Sequence, residues 1–212
     1  MNINEIDHSS EPIRLFKSDF LEFFTHIHPA VVVALWLPPA VFMLVWPAAH
    51  LPVGSSGGFI PVAFAAGLFL WTFAEYTLHR FLFHFPARTP RQKRIFFLFH
   101  GVHHAQPQCQ TRLVMPPAVS IPMGVLFYGL FSLLVGFWMG HPEWVLPLMS
   151  GFLSGYLAYD LTHYATHHFP MRQKALRELK RHHMKHHYKT PNQRFGVSSP
   201  LWDVVFGTLP AD

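Results

Sequence analysis

The sequence predicts an all-α integral membrane protein with four transmembrane helices. Three observations carry that prediction. Half of the 212 residues are hydrophobic and only 13% are charged, too little charge for a water-soluble domain of this size. Phenylalanine stands at 22 residues, with 6 Trp and 8 Met, more bulk than one globular core uses. Four apolar runs, at about 31–49, 59–78, 119–139 and 144–159, each approach the length needed to cross hydrocarbon.

Ahead of the first run, residues 1–30 read as an N-terminal tail with an interfacial helix, and 31–212 as the membrane domain. No signal peptide is evident, because the opening residues mix both charges without an apolar run. In RLFKSDFLEFFTH, Arg14 to His26, helical spacing puts Leu15, Phe16, Phe20, Phe23 and Phe24 near one face. Lys17, Asp19 and Glu22 fall towards the other. Such a segment lies on a membrane surface. The first span contains Pro38 and Pro39 and is expected to kink. The fourth is short and runs into Asp160 and His163, so its last turns leave the lipid or face protein.

All sixteen Lys and Arg fall within 14–17, 80–112 and 172–194. If all four runs span, the loops at about 50–58 and 140–143 lie on one face without a basic residue, and everything else lies on the cytoplasmic face. The single cysteine, Cys109, excludes an intrachain disulfide and a thiolate metal site. No nucleic-acid partner is expected.

Histidine is the anomaly. There are 17, against 11 Asp and Glu, and twelve lie between His79 and His104 or between His163 and His187. Four boxes stand out: HRFLFH with His79 and His84, HGVHH with His100, His103 and His104, HYATHH with His163 and His167, and HMKHH with His183, His186 and His187. Residues three and four apart share a helical face, so each box of that spacing can turn its imidazoles to one side. His79 and His84, five apart, reach one metal only if the helix unwinds between them. Ten imidazoles exceed what one ion uses, so two metals are the economical reading. A histidine-rich surface that senses pH or attracts anionic lipid has no need of helical spacing. A metal transporter or sensor calls for histidines inside the spans, whereas these cluster at one end.

These four boxes in order between apolar spans, followed by RFGVSSPLWDVVFGT, resemble the fatty acid hydroxylase superfamily. The similarity is closest to its sphingolipid fatty acid 2-hydroxylase branch and extends from about Arg14 to the C-terminus. The resemblance implies a helical membrane domain capped by a cytosolic helical layer, with a dinuclear site between them and an acyl chain entering from the bilayer. Box by box it assigns one metal to His79, His84, His100, His104 and His186, and the other to His103, His163, His167, His183 and His187. The implied activity is hydroxylation of a fatty acyl chain with O2, the position at C2 resting on the resemblance alone. A lipid desaturase or a sterol-type oxidase with the same boxes is the alternative.

Hydroxylating an unactivated C–H bond requires a metal that changes oxidation state, which favours iron. Zinc binds the same donors without that ability. Near the metals, Asp160 is placed to orient His163 and join the catalytic set, and Glu75 to orient His79 or pair with Arg80. His168 and His182 adjoin ligand positions without matching one; Tyr156, Tyr159 and Tyr164 are candidates to line a substrate route. His8, His26, His28, His50 and His141 read as structural or interfacial. About thirty residues precede the first span, where many eukaryotic relatives carry a haem-binding electron-transfer domain. The electrons are thus expected from a separate protein docking on Arg88, Arg91, Lys93, Arg94, Arg172, Lys174, Arg177, Lys180 and Arg181, and a prokaryotic inner membrane is the expected location.

Overall fold

In the hydrocarbon of a bilayer no water is available to satisfy backbone N–H and C=O groups, so an apolar chain closes its hydrogen bonds within helices. The computed structural model, which describes residues 11–51 and 53–210, has no strand among them. Its helices are α1 (Asp19–Phe23), α2 (Pro29–Ala49), α3 (Phe59–Thr77), α4 (Pro90–Phe96), α5 (Val102–Ala105), α6 (Pro117–Phe131), α7 (Pro142–His168), α8 (Lys174–Tyr188) and α9 (Leu201–Val205). Three of them continue as wide π-turns: α3 through Leu78–Phe83, α4 through Phe97–Gly101 and α6 through Ser132–Trp138.

Among the described residues three helices are long and apolar enough to cross a membrane: Pro29–Ala49, Phe59–Phe83 and Pro117–Trp138. The first stays helical through Pro38, Pro39 and Pro47. The fourth expected span falls in α7, which is 27 residues long but not apolar enough to join the three. Ser150, Gly151, Ser154, Gly155 and Asp160 dilute it, and much of its surface is buried rather than offered to lipid.

The chain falls into two compact units, one made of Ala30–Thr72 and Pro116–Ala158, the other of Met1–Pro29, Phe73–Met115 and Tyr159–Asp212. In the first, small residues set the spacing. A Cβ on Gly67 would lie 2.0 Å from the Leu148 carbonyl oxygen, and one on Gly151 would lie 2.0 Å from that of Phe64. The α3 and α7 backbones therefore touch, the packing that membrane helices use where hydrophobicity cannot drive association. Around this contact Trp71 meets Phe152 and Tyr156 edge-on at 5.1 and 5.3 Å, and the Ser150 hydroxyl donates to the Ala40 carbonyl at 2.6 Å. Outward-facing Phe42, Val45, Val125, Phe137 and Trp138 are exposed, a surface that water would penalise and lipid accepts.

In the second unit the helix expected over 14–26 shortens to α1. The backbone N–H groups of Leu15 and Phe16 bond the Glu22 carboxylate, and Ser18 caps the helix. Phe20 and Phe23 remain more than two-thirds exposed. Glu22 also takes Arg112 at 2.6 Å, and His26 meets Thr111 at 2.8 Å. Gln106 accepts from the Ile13 N–H and donates to the Glu11 carbonyl. The N-terminal stretch is thereby stitched to the loop that follows HGVHH. His8 lies outside the described residues.

Valine at Gly67 or Gly151 forces two backbones apart, a cost of about 3 kcal/mol or more. Either variant is expected to lower the unfolding midpoint in detergent by several degrees or to abolish monodisperse protein. Gly129→Ala, with open space at its Cβ, serves as the neutral control.

Candidate metal centre

The centre is built from helix ends. In an α-helix residues five apart diverge by about 140°, but the π-turn at Leu78–Phe83 closes a bond from the His84 N–H to the His79 carbonyl at 3.0 Å. The helix widens rather than unwinds, and both rings come to one side, 4.9 Å between centroids. A second π-turn, Phe97–Gly101, delivers His100 to the start of α5. The C-terminal turns of α7 carry His163 and His167, and α8 carries His183, His186 and His187.

All ten histidines of the four boxes converge, in two groups. One holds His79, His84, His100, His104 and His186, the other His103, His163, His167, His183 and His187. An i, i+3, i+4 set therefore does not serve one centre: His103 and His186 each face away from their box neighbours towards the other group. In the first group Nε2 atoms approach at 3.1 Å (His79 to His100), 3.0 Å (His100 to His104) and 3.1 Å (His84 to His186). In the second they approach at 2.9 Å (His103 to His163), 3.0 Å (His103 to His187), 3.0 Å (His183 to His187) and 2.9 Å (His167 to His183). Two imidazoles bound at right angles to one ion at ~2.05 Å have donors ~2.9 Å apart, and tetrahedral donors ~3.4 Å. The observed spacing fits a crowded site of five or six donors. Each group can hold a metal ion.

Electrostatics agrees. Burial, followed by the neighbouring imidazoles, holds His100, His103, His104, His183, His186 and His187 well below the ordinary imidazole value. Burial and His186 push His84 down to about 3. Such rings are neutral at physiological pH and present lone pairs, the state a metal requires.

The outer partners come largely from the stretch after α8. His79 Nδ1 donates to the Phe195 carbonyl at 2.5 Å and His186 Nδ1 to the Gln193 carbonyl at 2.7 Å. A carbonyl only accepts, so the proton sits on Nδ1 and the Nε2 lone pair faces the centre. Glu75 neither orients His79 directly nor pairs with Arg80. It accepts from the Val197 and Ser198 N–H groups and the Ser198 hydroxyl, while Arg80 donates to Tyr76. Asp160 departs likewise from its expected pairing with His163: it accepts the Met115 N–H at 3.3 Å, and His163 hydrogen-bonds the Leu113 backbone. Asp203 was not anticipated. Fully buried, it pairs with His182 at 3.0 Å and takes the Phe195 and Gly196 N–H groups.

The remaining expectations separate cleanly. His26 belongs to the N-terminal stitching, His50 stacks on Trp46 at 3.7 Å, and His141 faces Glu143. Tyr159 stacks on His163, Tyr164 packs on His168, and Tyr156 lies between Trp36 and Trp71. Arg88, Arg91, Lys93, Arg94, Arg172, Lys174, Arg177 and Arg181 are exposed, and Lys180 is half-buried.

Histidines whose folded pKa is depressed stabilise the fold above the unfolded value of about 6.5, and that contribution is lost as pH falls. Chelator-treated protein is therefore expected to lose thermal stability progressively from about pH 7 to about pH 5. Melting curves across that range check this; a flat profile contradicts the burial of neutral imidazoles.

Residues 64–208 match the profile of the fatty acid hydroxylase family. The chain is 37% identical to a dihydroceramide fatty acyl 2-hydroxylase of Arabidopsis thaliana, over 93% of this chain and 80% of that protein. It is 37% identical to a ceramide very long chain fatty acid hydroxylase of Schizosaccharomyces pombe, over 90% of this chain and 53% of that one. It is 34% identical to the fatty acid 2-hydroxylase of Homo sapiens, over 94% and 57%. These relatives are eukaryotic. The solved structure of full-length scs7p, in which only the hydroxylase domain is visible, superposes with a TM-score of 0.82 at 37% identity, covering 91% of this chain and 70% of that one. With ten histidines gathered in two groups and this breadth of similarity, the chain belongs to the fatty acid hydroxylase family.

Proposed function

We propose that the chain is a membrane-bound oxidoreductase that hydroxylates C2 of the fatty acyl chain of a ceramide-like lipid. The observation that carries this reading is the pair of five-histidine groups in a chain whose relatives are named as 2-hydroxylases of such lipids. His79, His84, His100, His104 and His186 would hold one ion and His103, His163, His167, His183 and His187 the other. The pair of ions, read as iron, supplies reduction of dioxygen and insertion of one oxygen atom into a C–H bond; zinc fills the same donors without the redox step. The reaction balances as acyl chain, O2, two electrons and two protons giving the hydroxyacyl chain and water.

The protein's part is to hold the donors and admit the lipid. Neutral imidazoles keep their lone pairs aimed inward, and the Met115 N–H bond to Asp160 anchors the end of the loop after HGVHH. With α7 read as a fourth span, the positive-inside pattern would set the basic surface on the cytoplasmic face. Exposed Arg91, Lys93, Arg94, Arg172, Lys174 and Arg177 suit an acidic electron-transfer protein that docks there.

Lipid mass spectrometry on cells expressing the wild type and His186→Ala tests the reaction. Acyl chains heavier by one oxygen, with the oxygen at C2, are expected only with the wild type. New double bonds instead would replace hydroxylation by desaturation; unaltered lipids despite a supplied reductant system would overturn the reading. His103→Ala and His187→Ala are each expected to lose about half of the bound metal and all product, whereas His50→Ala and His141→Ala keep both.

A further inference from the structure

We propose that Glu75 and Asp203 are positioning residues for the His79 group alone, so that the two groups grip metal unequally. This rests on reading both groups as metal sites. Neither carboxylate belongs to either group of converging donors, and both are buried, at 3% and 0% exposure. Their work is on the backbone between them. Asp203 Oδ1 takes the Phe195 N–H at 2.8 Å and the Thr208 hydroxyl at 2.6 Å; Oδ2 takes the Gly196 N–H at 2.8 Å and His182 at 3.0 Å. Glu75 Oε1 takes the Val197 N–H at 2.7 Å and the Ser198 N–H at 2.8 Å. Four consecutive backbone donors are thus consumed by two acidic side chains.

That clamp fixes where the carbonyls of the same segment point. Arg194 sits at φ 60°, a left-handed conformation that non-glycine residues rarely adopt, and its N–H bonds the Thr208 carbonyl at 3.0 Å. At Gly196 an added Cβ would lie 2.0 Å from the Ser199 carbonyl oxygen, so only glycine lets the turn close. Held this way, the Gln193 and Phe195 carbonyls receive the Nδ1 protons of His186 and His79 and lock both rings. In the other group only His163 has such a partner, the Leu113 backbone. Among the described residues the buried Nδ1 atoms of His103, His167, His183 and His187 have no protein hydrogen-bond partner. Outer hydrogen bonds of this kind are worth about 10–100-fold in metal affinity, so the His79 group is the tighter site.

Cobalt(II) titration of stripped protein, read by its visible absorption, separates the sites. The wild type is expected to bind two ions in two phases, His84→Ala removing the tight phase and His167→Ala the weak one. Glu75→Ala and Asp203→Asn are expected to weaken the tight phase about 10–100-fold and spare the weak phase. Glu75→Gln, which keeps an oxygen for Val197 and Ser198, retains the tight phase. Should Asp203→Asn lose its helical circular dichroism, Thr208→Val replaces it, with a smaller loss in the same direction. Equal weakening of both phases in folded variants, or an unchanged tight phase in Glu75→Ala, overturns this inference and leaves the metal reading intact. A folded wild type that binds no cobalt overturns both.

Discussion

Two groups of five imidazole nitrogens, each group gathered within 4.8 Å with neighbours about 3 Å apart, are the constraint on which the rest of this molecule depends. Brought together empty, such nitrogens repel and are cut off from water; around an ion they become its shell. The arrangement explains why charge is so unevenly spent. Acidic residues are scarce, and those near the centre, Glu75, Asp160 and Asp203, bind backbone N–H groups. A free carboxylate at that depth would compete for the ion or require a partner of its own.

Holding side chains at that tolerance is a backbone problem. Each box supplies donors at a helix end, where the last turns can be widened without breaking the apolar body of the helix. The π-turn after α3 and the one after α4 do this for His79, His84 and His100. What the helices cannot supply is rotation about the ring, and for His186 and His79 that task passes to the carbonyls of Gln193 and Phe195. The segment RFGVSSPLWD is therefore as much a part of the centre as the histidines, although it contributes no donor to either group.

Much of this was legible in the sequence. Apolar run lengths announced a helical membrane protein, the number of boxed histidines announced two groups, and the family resemblance supplied their membership. The failures have specific causes. The five-residue gap between His79 and His84 signalled a departure from α geometry, but a broken helix and a widened one leave the same trace in one dimension. The helix expected over 14–26 begins only at Asp19, where the Ser18 side chain caps it, and the Glu22 carboxylate, unassignable from periodicity, folds the Leu15–Phe16 backbone back against it. Asp203 lay in an amphipathic stretch, and its partners Phe195, Gly196 and His182 are chosen by tertiary folding. Glu75 and Val197 are 122 residues apart. Helical proximity points Asp160 at His163, but the Met115 N–H arrives at it from another part of the chain.

The unit that carries both histidine groups is assembled from three separate stretches, Met1–Pro29, Phe73–Met115 and Tyr159–Asp212. During synthesis the ribosome delivers His79 long before the Phe195 carbonyl that holds it exists, and α8 emerges after every apolar helix. The two histidine groups are therefore complete only after α8 has been made. Until then the early boxes lack partners that lie later in the chain, and the contacts that close each group are long-range rather than local.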